Sequence, residues 1–189
     1  MSVVGEQRWP AERLVGERVV LERHRLDAAA RMFELVDRDR ARLGRFLPWV
    51  EHTLTVADEV DYIRHTHEAW EEATLFDFSI LRRGDDVYCG NVGVHHLRWA
   101  HGGAEIGYWI GGEHEGRGLV TDAVRTVQTA LFGLGIQRIE IRCDSLNVRS
   151  QSIPRRLGYT LEGTLRRHQR VGAGFRDILV FSRLSTDGS

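Results

Sequence analysis

Tyr108-Trp109-Ile110-Gly111-Gly112-Glu113-His114-Glu115-Gly116-Arg117-Gly118-Leu119-Val120 is the stretch that decides the reading of this chain. Its first residues close a strand, Ala104 to Ile110. Its glycines then turn the chain. From Leu119 the apolar period is helical, with Val120, Val124, Val127 and Leu131 on one stripe and Asp122 and Arg125 off it. A helix that starts this way leaves its first N–H groups without internal partners. The helix dipole makes that end positive, and glycine lets backbone approach a ligand closely. Together these features suit a diphosphate cradle, with Arg117 as a direct charge contact. A plain tight turn also explains the glycines taken alone. The loop is not a P-loop, because no Gly-Lys-Ser/Thr follows. It is not a Rossmann fingerprint either, because no acidic residue stands at a convincing strand end for a ribose.

Working outward, Arg18 to Glu22 reads as a first strand. Asp27 reads as the cap of a helix over Ala28 to Val36. Phe46-Leu47-Pro48-Trp49 is an aromatic break at Pro48. Asp58 to Trp70 is helical, with Val60, Ile63, His67 and Trp70 on one stripe. Phe76, Phe78 and Ile80 alternate with Asp77 and Ser79, which predicts a half-buried strand. Arg83-Gly84-Asp85-Asp86 turns it into a partner strand, Val87 to Leu97. Downstream of the central helix, Gly133 and Gly135 stop it. Arg138 to Cys143 is a strand, and Asn147 starts a short helix ending at Gly158. Tyr159 to Val171 and Phe175 to Leu184 form a closing hairpin around Gly172-Ala173-Gly174. The order predicts an α+β domain: one mixed, mostly antiparallel central sheet flanked by helices. One domain covers residues 1–189, with its ordered core from about 14 to 184 and frayed ends on either side.

Composition narrows the function. The chain has 189 residues, 42% of them hydrophobic, enough for one core. Its net charge is -1, so no nucleic-acid partner is expected. No apolar run is long enough to span a bilayer, and Met1 to Arg18 lacks a signal-peptide stretch. Cys89 and Cys143 read as buried free thiols of a reducing compartment, so the expected location is cytoplasmic. His65-Thr66-His67 and His95-His96 lack helical i, i+4 spacing and a third ligand, so no metal is expected.

A second block extends the pattern: Asn147-Val148-Arg149-Ser150, then Ile153, Pro154, Leu157-Gly158-Tyr159 and Leu161-Glu162-Gly163. With Ala104-Glu105-Ile106-Gly107-Tyr108-Trp109-Ile110, Glu115-Gly116-Arg117-Gly118 and Phe46-Leu47-Pro48-Trp49, the chain resembles the GNAT superfamily of acetyltransferases. More narrowly, it resembles the RimJ/RimL group. The resemblance runs from about Leu14 to Leu184. It implies an N-acetyltransferase using acetyl-CoA as co-substrate. The acceptor would be a protein N-terminal or aminoacyl-like α-amine, and a homodimer is implied too. The strand ending at Trp109-Ile110 would splay from the strand at Ile139–Cys143 and hold the pantetheine arm. The diphosphate would sit on N–H groups of Gly116, Arg117, Gly118, Leu119, Val120 and Thr121. Asn147 and Ser150 would approach the arm and the thioester sulfur. Two residues depart from the group's phosphate loop. Glu115 stands where Gln or Arg is commoner, and Val120 where Gly or Ala is. A tyrosine acid used elsewhere in the superfamily would fall at Pro154, and Ser150 takes that role in the RimL-like group.

The chemistry needs a neutral amine, a held thioester and a protonated leaving thiolate. A backbone N–H near Ile110 is the candidate donor to the carbonyl oxygen. Glu105 is the candidate base and Ser150 the candidate acid. Phe46, Trp49 and His168 are candidate acceptor-binding residues. Plainer readings stand beside these. Glu105 also suits a structural ion pair, Ser150 a helix-start contact, His168 an exposed surface, and Phe46, Trp49 and Trp70 core packing. Two rival functions share the cradle: a small-molecule amine acetyltransferase of the antibiotic-modifying type, and a non-catalytic CoA-binding module.

Overall fold

A computed structural model describes residues 10–172 and 174–187. The described residues form eight strands in one sheet, ordered β1-β2-β3-β4-β5-β6-β8-β7. These are β1 (Arg13–Val15), β2 (Val19–Arg23), β3 (Phe76–Arg82), β4 (Tyr88–Arg98), β5 (Gly103–Ile110), β6 (Arg138–Asp144), β7 (Thr160–Val171) and β8 (Gly174–Leu184). The helices are α1 (Ala29–Arg38), α2 (Arg40–Leu43), α3 (Val56–Glu71), α4 (Leu119–Gly133) and α5 (Val148–Arg156). Every neighbouring pair of strands is antiparallel except β5 and β6, which are parallel. A parallel pair needs a crossover, and α4 supplies it. No helix among the described residues is long and apolar enough to cross a membrane.

Phe76, Phe78, Ile80, Val92, Val94, Ala104, Ile106, Ile139 and Ile141 point to one face, where the apolar stripe of α4 covers them. Phe76, Phe78 and Phe181 are fully buried. Truncating one of these rings would cost about 3–5 kcal/mol. The opposite face lies under α1 and α3.

Several expectations are corrected. Strand β3 is buried on both faces, not half-buried, with Asp77 and Ser79 at 2% and 4% exposure. Helices cover both sides of it, so its polar residues are interior ones. Asp27 makes no capping bond. It lies in a 3-10 turn, Leu26–Ala28, and pairs with Arg25 at 2.8 Å. Asp122 leaves the apolar stripe but is buried, accepting the backbone N–H groups of Arg18 and Val19. Arg13–Val15 pairs with β2, and Ser185 bonds Gln137 through backbone and side chain. Residues 1–9, Ala173, Gly188 and Ser189 lie outside the described residues. Cys89 and Cys143 are free and buried as expected, and burial pushes the Cys89 thiol up to about 11.

Buried Glu59, near the start of α3, was not marked by its sequence. Burial pushes its carboxyl up to about 7, against the opposing pull of His24. The unfolded chain ionises this group near 4.5. Its contribution to stability is therefore full below that pH and is lost as pH rises through about 7. Glu59→Gln is expected to stabilise the protein by about 2–3 kcal/mol at pH 8 and scarcely at pH 4. Urea melts at both pH values check this, and an equal effect at both would contradict it.

Candidate active site

Strands β5 and β6 pair only at Gly103↔Arg138, Ala104↔Ile139 and Glu105↔Glu140. Beyond Glu105 no further β5–β6 pair forms, so the β6-facing edge of Ile106 to Ile110 has no strand partner, although Arg42 occupies the Ile110 carbonyl. Backbone groups rarely stay unsatisfied once covered. This edge is therefore where an extended ligand can add its own hydrogen bonds.

The free edge leads into the glycine loop. Gly111 bonds back to Cys89, and a 3-10 turn over Gly112–His114 follows. Gly116 and Gly118 take left-handed φ values of +72° and +75°. Side chains carry a strain cost there, and glycine does not. Helix α4 then begins with no side-chain cap, so the amides of Leu119, Val120 and Thr121 are left for a ligand. Arg117 is exposed beside them. The Thr121 hydroxyl accepts from Arg156 of α5 at 2.9 Å, which brings a second cation to the loop. The Arg18 stem lies 3.7 Å from where a Gly118 Cβ would stand. Neither Arg18 nor Arg156 was singled out in the sequence; only tertiary packing brings them here.

Both departures in the loop have physical accounts. Val120 is buried in the core on the far side of the helix. Glu115 is spent on two arginines: Arg42 of α2 at 2.6 Å, and Arg149 of α5. Arg42 also donates to the Ile110 carbonyl and to Asp39. Asp39 in turn accepts the Gly112 amide. Burial works against the Asp39 carboxylate, but that amide and Arg42 hold it below its usual range. The carboxylate of Glu115 thus ties α2 and α5 to the loop.

Helix α5 is capped by Asn147, whose Oδ1 accepts the Ser150 amide at 3.1 Å. This places the Ser150 hydroxyl 3.3 Å from the Cys143 sulfur and 3.4 Å from the Tyr108 hydroxyl. Tyr108 also donates to the Ser150 carbonyl at 2.8 Å, bridging the splay. Burial raises the Tyr108 and Cys143 pKa values, so both keep their protons at neutral pH. Tyr108 lies inside the deciding stretch, but nothing in its local pattern signals its pairing with Ser150.

On the opposite face, Glu105 is engaged. Its Oε2 accepts from His96 at 2.9 Å and lies 3.3 Å from Arg142. Acting as a base would require those pairs to loosen. Trp49 meets Trp109 with ring centroids 5.8 Å apart, so it does reach β5. Phe46 is partly buried under the Arg45 guanidinium, 5.5 Å from its ring. His168 is exposed on β7. It lines an open groove of about 780 Å³ with Arg166, Arg167 and Asp177. No trio of metal-ligating side chains occurs among the described residues.

Known proteins share this fold. The chain is 31% identical over 163 residues to YdaF of Bacillus subtilis (strain 168), a proposed ribosomal N-acetyltransferase, covering 84% of this chain and 87% of that protein. The microcin C7 self-immunity acetyltransferase MccE, solved with acetyl-CoA and AMP, superposes with a TM-score of 0.85 at 22% identity, covering 89% of this chain and 93% of that one. RimL, the ribosomal L7/L12 α-N-protein acetyltransferase, solved with coenzyme A, gives 0.85 at 19% identity, covering 92% and 98%. The family model for the acetyltransferase (GNAT) domain matches residues 18–160, and with it the splayed strands and the uncapped helix: this chain belongs to the GNAT acetyltransferase family.

Proposed function

We propose that the protein transfers acetyl from acetyl-CoA to a primary α-amine, with a protein N-terminus as acceptor. The observation that carries this is the continuous path from the β5 edge beyond Glu105, which lacks a strand partner, to the uncapped start of α4. The pantetheine arm would extend the sheet along Ile106 to Ile110. Its diphosphate would take the amides from Gly116 to Thr121, with Arg117, Arg18 and Arg156 balancing charge. Asn147 holds the turn that presents Ser150. The Ser150 hydroxyl, backed by Tyr108, gives the departing sulfur its proton.

The acceptor class rests on two supports. The relatives include proteins named for ribosomal N-acetylation. The groove along β7 and β8 is open, as a peptide requires, and His168 and the arginines beside it would meet the peptide. Phe46 and Trp49 would line the inner end. A smaller aminoacyl-type amine is the second reading, favoured by the likeness to MccE. The proposal places the enzyme in the cytoplasm as a homodimer.

Free-thiol release from acetyl-CoA, measured against a panel of N-terminal peptides and small aminoacyl amines, tests this. Peptide turnover supports it. Turnover of small amines alone moves the acceptor to the second reading. Binding of acetyl-CoA without thiol release for any amine would leave a cofactor-binding module. Ser150→Ala is expected to lower kcat about 10- to 100-fold with the KM for acetyl-CoA within threefold. Tyr108→Phe should cost less, because serine keeps its proton. Unchanged turnover in Ser150→Ala would remove serine as the required acid.

A further inference from the structure

We infer that His95, on the face opposite Ser150, is the general base that takes the proton from the acceptor ammonium; this rests on the acetyl-transfer reading above. Asp77, Gly93 and Gly107 stand in one row across β3, β4 and β5. The two glycines leave bare backbone on the face under α1 and α3, and the His95 imidazole lies across that floor. A Cβ on Gly107 would come within 2.9 Å of His95 Nε2, and one on Gly93 within 3.0 Å. Any larger residue at either position would push the ring away. The ring makes no hydrogen bond or ion pair with the described residues.

The position suits the chemistry. Gly107 is two residues past the last β5–β6 pair, in the crotch of the splay. A cofactor whose diphosphate sits at Gly116 to Thr121 runs its arm back toward that crotch, so its thioester lies deepest, level with Tyr108 and Ser150. An arm seated where a strand would be lies about 5 Å from β5. An amine nitrogen between the thioester and His95 Nε2 would be in reach of both. The proposed acid and base then flank the thioester from opposite faces of the sheet. The neutral imidazole takes a proton from the ammonium. The amine nitrogen bonds to the carbonyl carbon, the C–S bond breaks, and the nitrogen gives up its second proton to solvent as the amide forms. The sulfur takes a proton from Ser150, which is reprotonated by solvent, and the imidazolium returns its proton to water.

Asp77 is the positioning residue. Its Oδ2 is taken by Tyr62, Asn91 and His24. Its Oδ1 leans over Gly93 from the other side, 2.8 Å from where that Cβ would stand. Burial opposes its charge, but His24 and the Tyr62 hydroxyl hold its pKa below the usual value. It therefore presents a fixed negative charge to the imidazole. The other charged or titratable groups around this face are His96 and Tyr88 of β4, Glu59 and Tyr62 of α3, Glu105 of β5, Glu140 and Arg142 of β6 and His24 after β2. Glu105, directly across from His95, is already held by His96 and Arg142.

The test compares wild type, His95→Gln and Asp77→Asn by thiol release across pH 5–9, with calorimetry for CoA affinity. His95→Gln is expected to bind CoA within twofold of wild type, to lose about 100-fold in kcat at pH 7, and to lose the acid limb of the profile. Asp77→Asn should move that limb to lower pH. Wild-type turnover with His95→Gln keeping more than a third of kcat and the same profile overturns the base assignment and leaves the acetyltransferase reading intact. Wild type that releases no thiol with any amine overturns both. If the glutamine variant does not fold, His95 protonation followed by NMR in the wild type must track the acid limb of kcat. A mismatch of more than one pH unit overturns the assignment.

Discussion

Gly118→Asp is expected to raise the CoA dissociation constant at least 100-fold while the protein stays folded. Gly118 has φ +75°, where most side chains are strained, but aspartate is among those that tolerate that region. Its Cβ would meet only the Arg18 stem, at an ordinary 3.7 Å. The folding cost should therefore be about 1 kcal/mol. The binding cost is of another kind. A short carboxylate at this position competes for the α4 amides that the diphosphate needs, and places negative charge where two phosphates must sit. A 100-fold loss corresponds to about 2.7 kcal/mol. Gly118→Asn carries the same backbone strain without the charge and should lose less. Calorimetry with CoA and thermal melts on both variants separate the two contributions. Unchanged affinity in Gly118→Asp would mean that the start of α4 does not hold the diphosphate, and the functional proposal would fall with it.

The parts of this molecule legible in its sequence are those encoded locally. The glycines before Leu119, the cap at Asn147 and the stripe on α4 each announce an element within a few residues, and each is found. Patterns that depend on what covers a residue were misread. Alternating polar residues usually mean a solvated face, yet Asp77 and Ser79 lie beneath helices. The three-residue edge strand Arg13–Val15 has too little pattern to register, and exists because β2 offers it a partner. The site divides in the same way. The phosphate loop and Ser150 could be marked from their neighbours in the chain. The Arg42–Glu115 pair joins residues 73 positions apart, and the Tyr108–Ser150 pair residues 42 apart. Only the assembled sheet and packed helices bring such partners together. For the same reason the departure at Glu115 has no account in its neighbours along the chain, because the two arginines that occupy it are distant in sequence.

Asp122→Ala is expected to cost about 3 kcal/mol of stability, and Asp122→Asn about 1 kcal/mol. The Asp122 carboxylate is buried in the first turn of α4. One of its oxygens accepts the amides of Arg18 at 2.8 Å and Val19 at 3.2 Å. These are charge-assisted bonds, and alanine would leave two N–H groups without an acceptor beside the core. Asparagine keeps an oxygen there and loses mainly the charge, along with the 3.6 Å pairing to Arg125. The same bond fixes the start of β2 against the start of α4, and so fixes Arg18 beside Gly118. Loss of the tether should therefore weaken CoA binding as well as folding, by about 5- to 10-fold in Asp122→Ala and little in Asp122→Asn. Urea melts and calorimetry on the two variants measure both effects. If alanine destabilises by less than 1 kcal/mol, the tether is not what holds these elements together. If it destabilises as expected but leaves CoA affinity untouched, the loop is positioned by the Arg42–Glu115–Arg149 bridge instead, and Glu115→Gln becomes the variant that should loosen it.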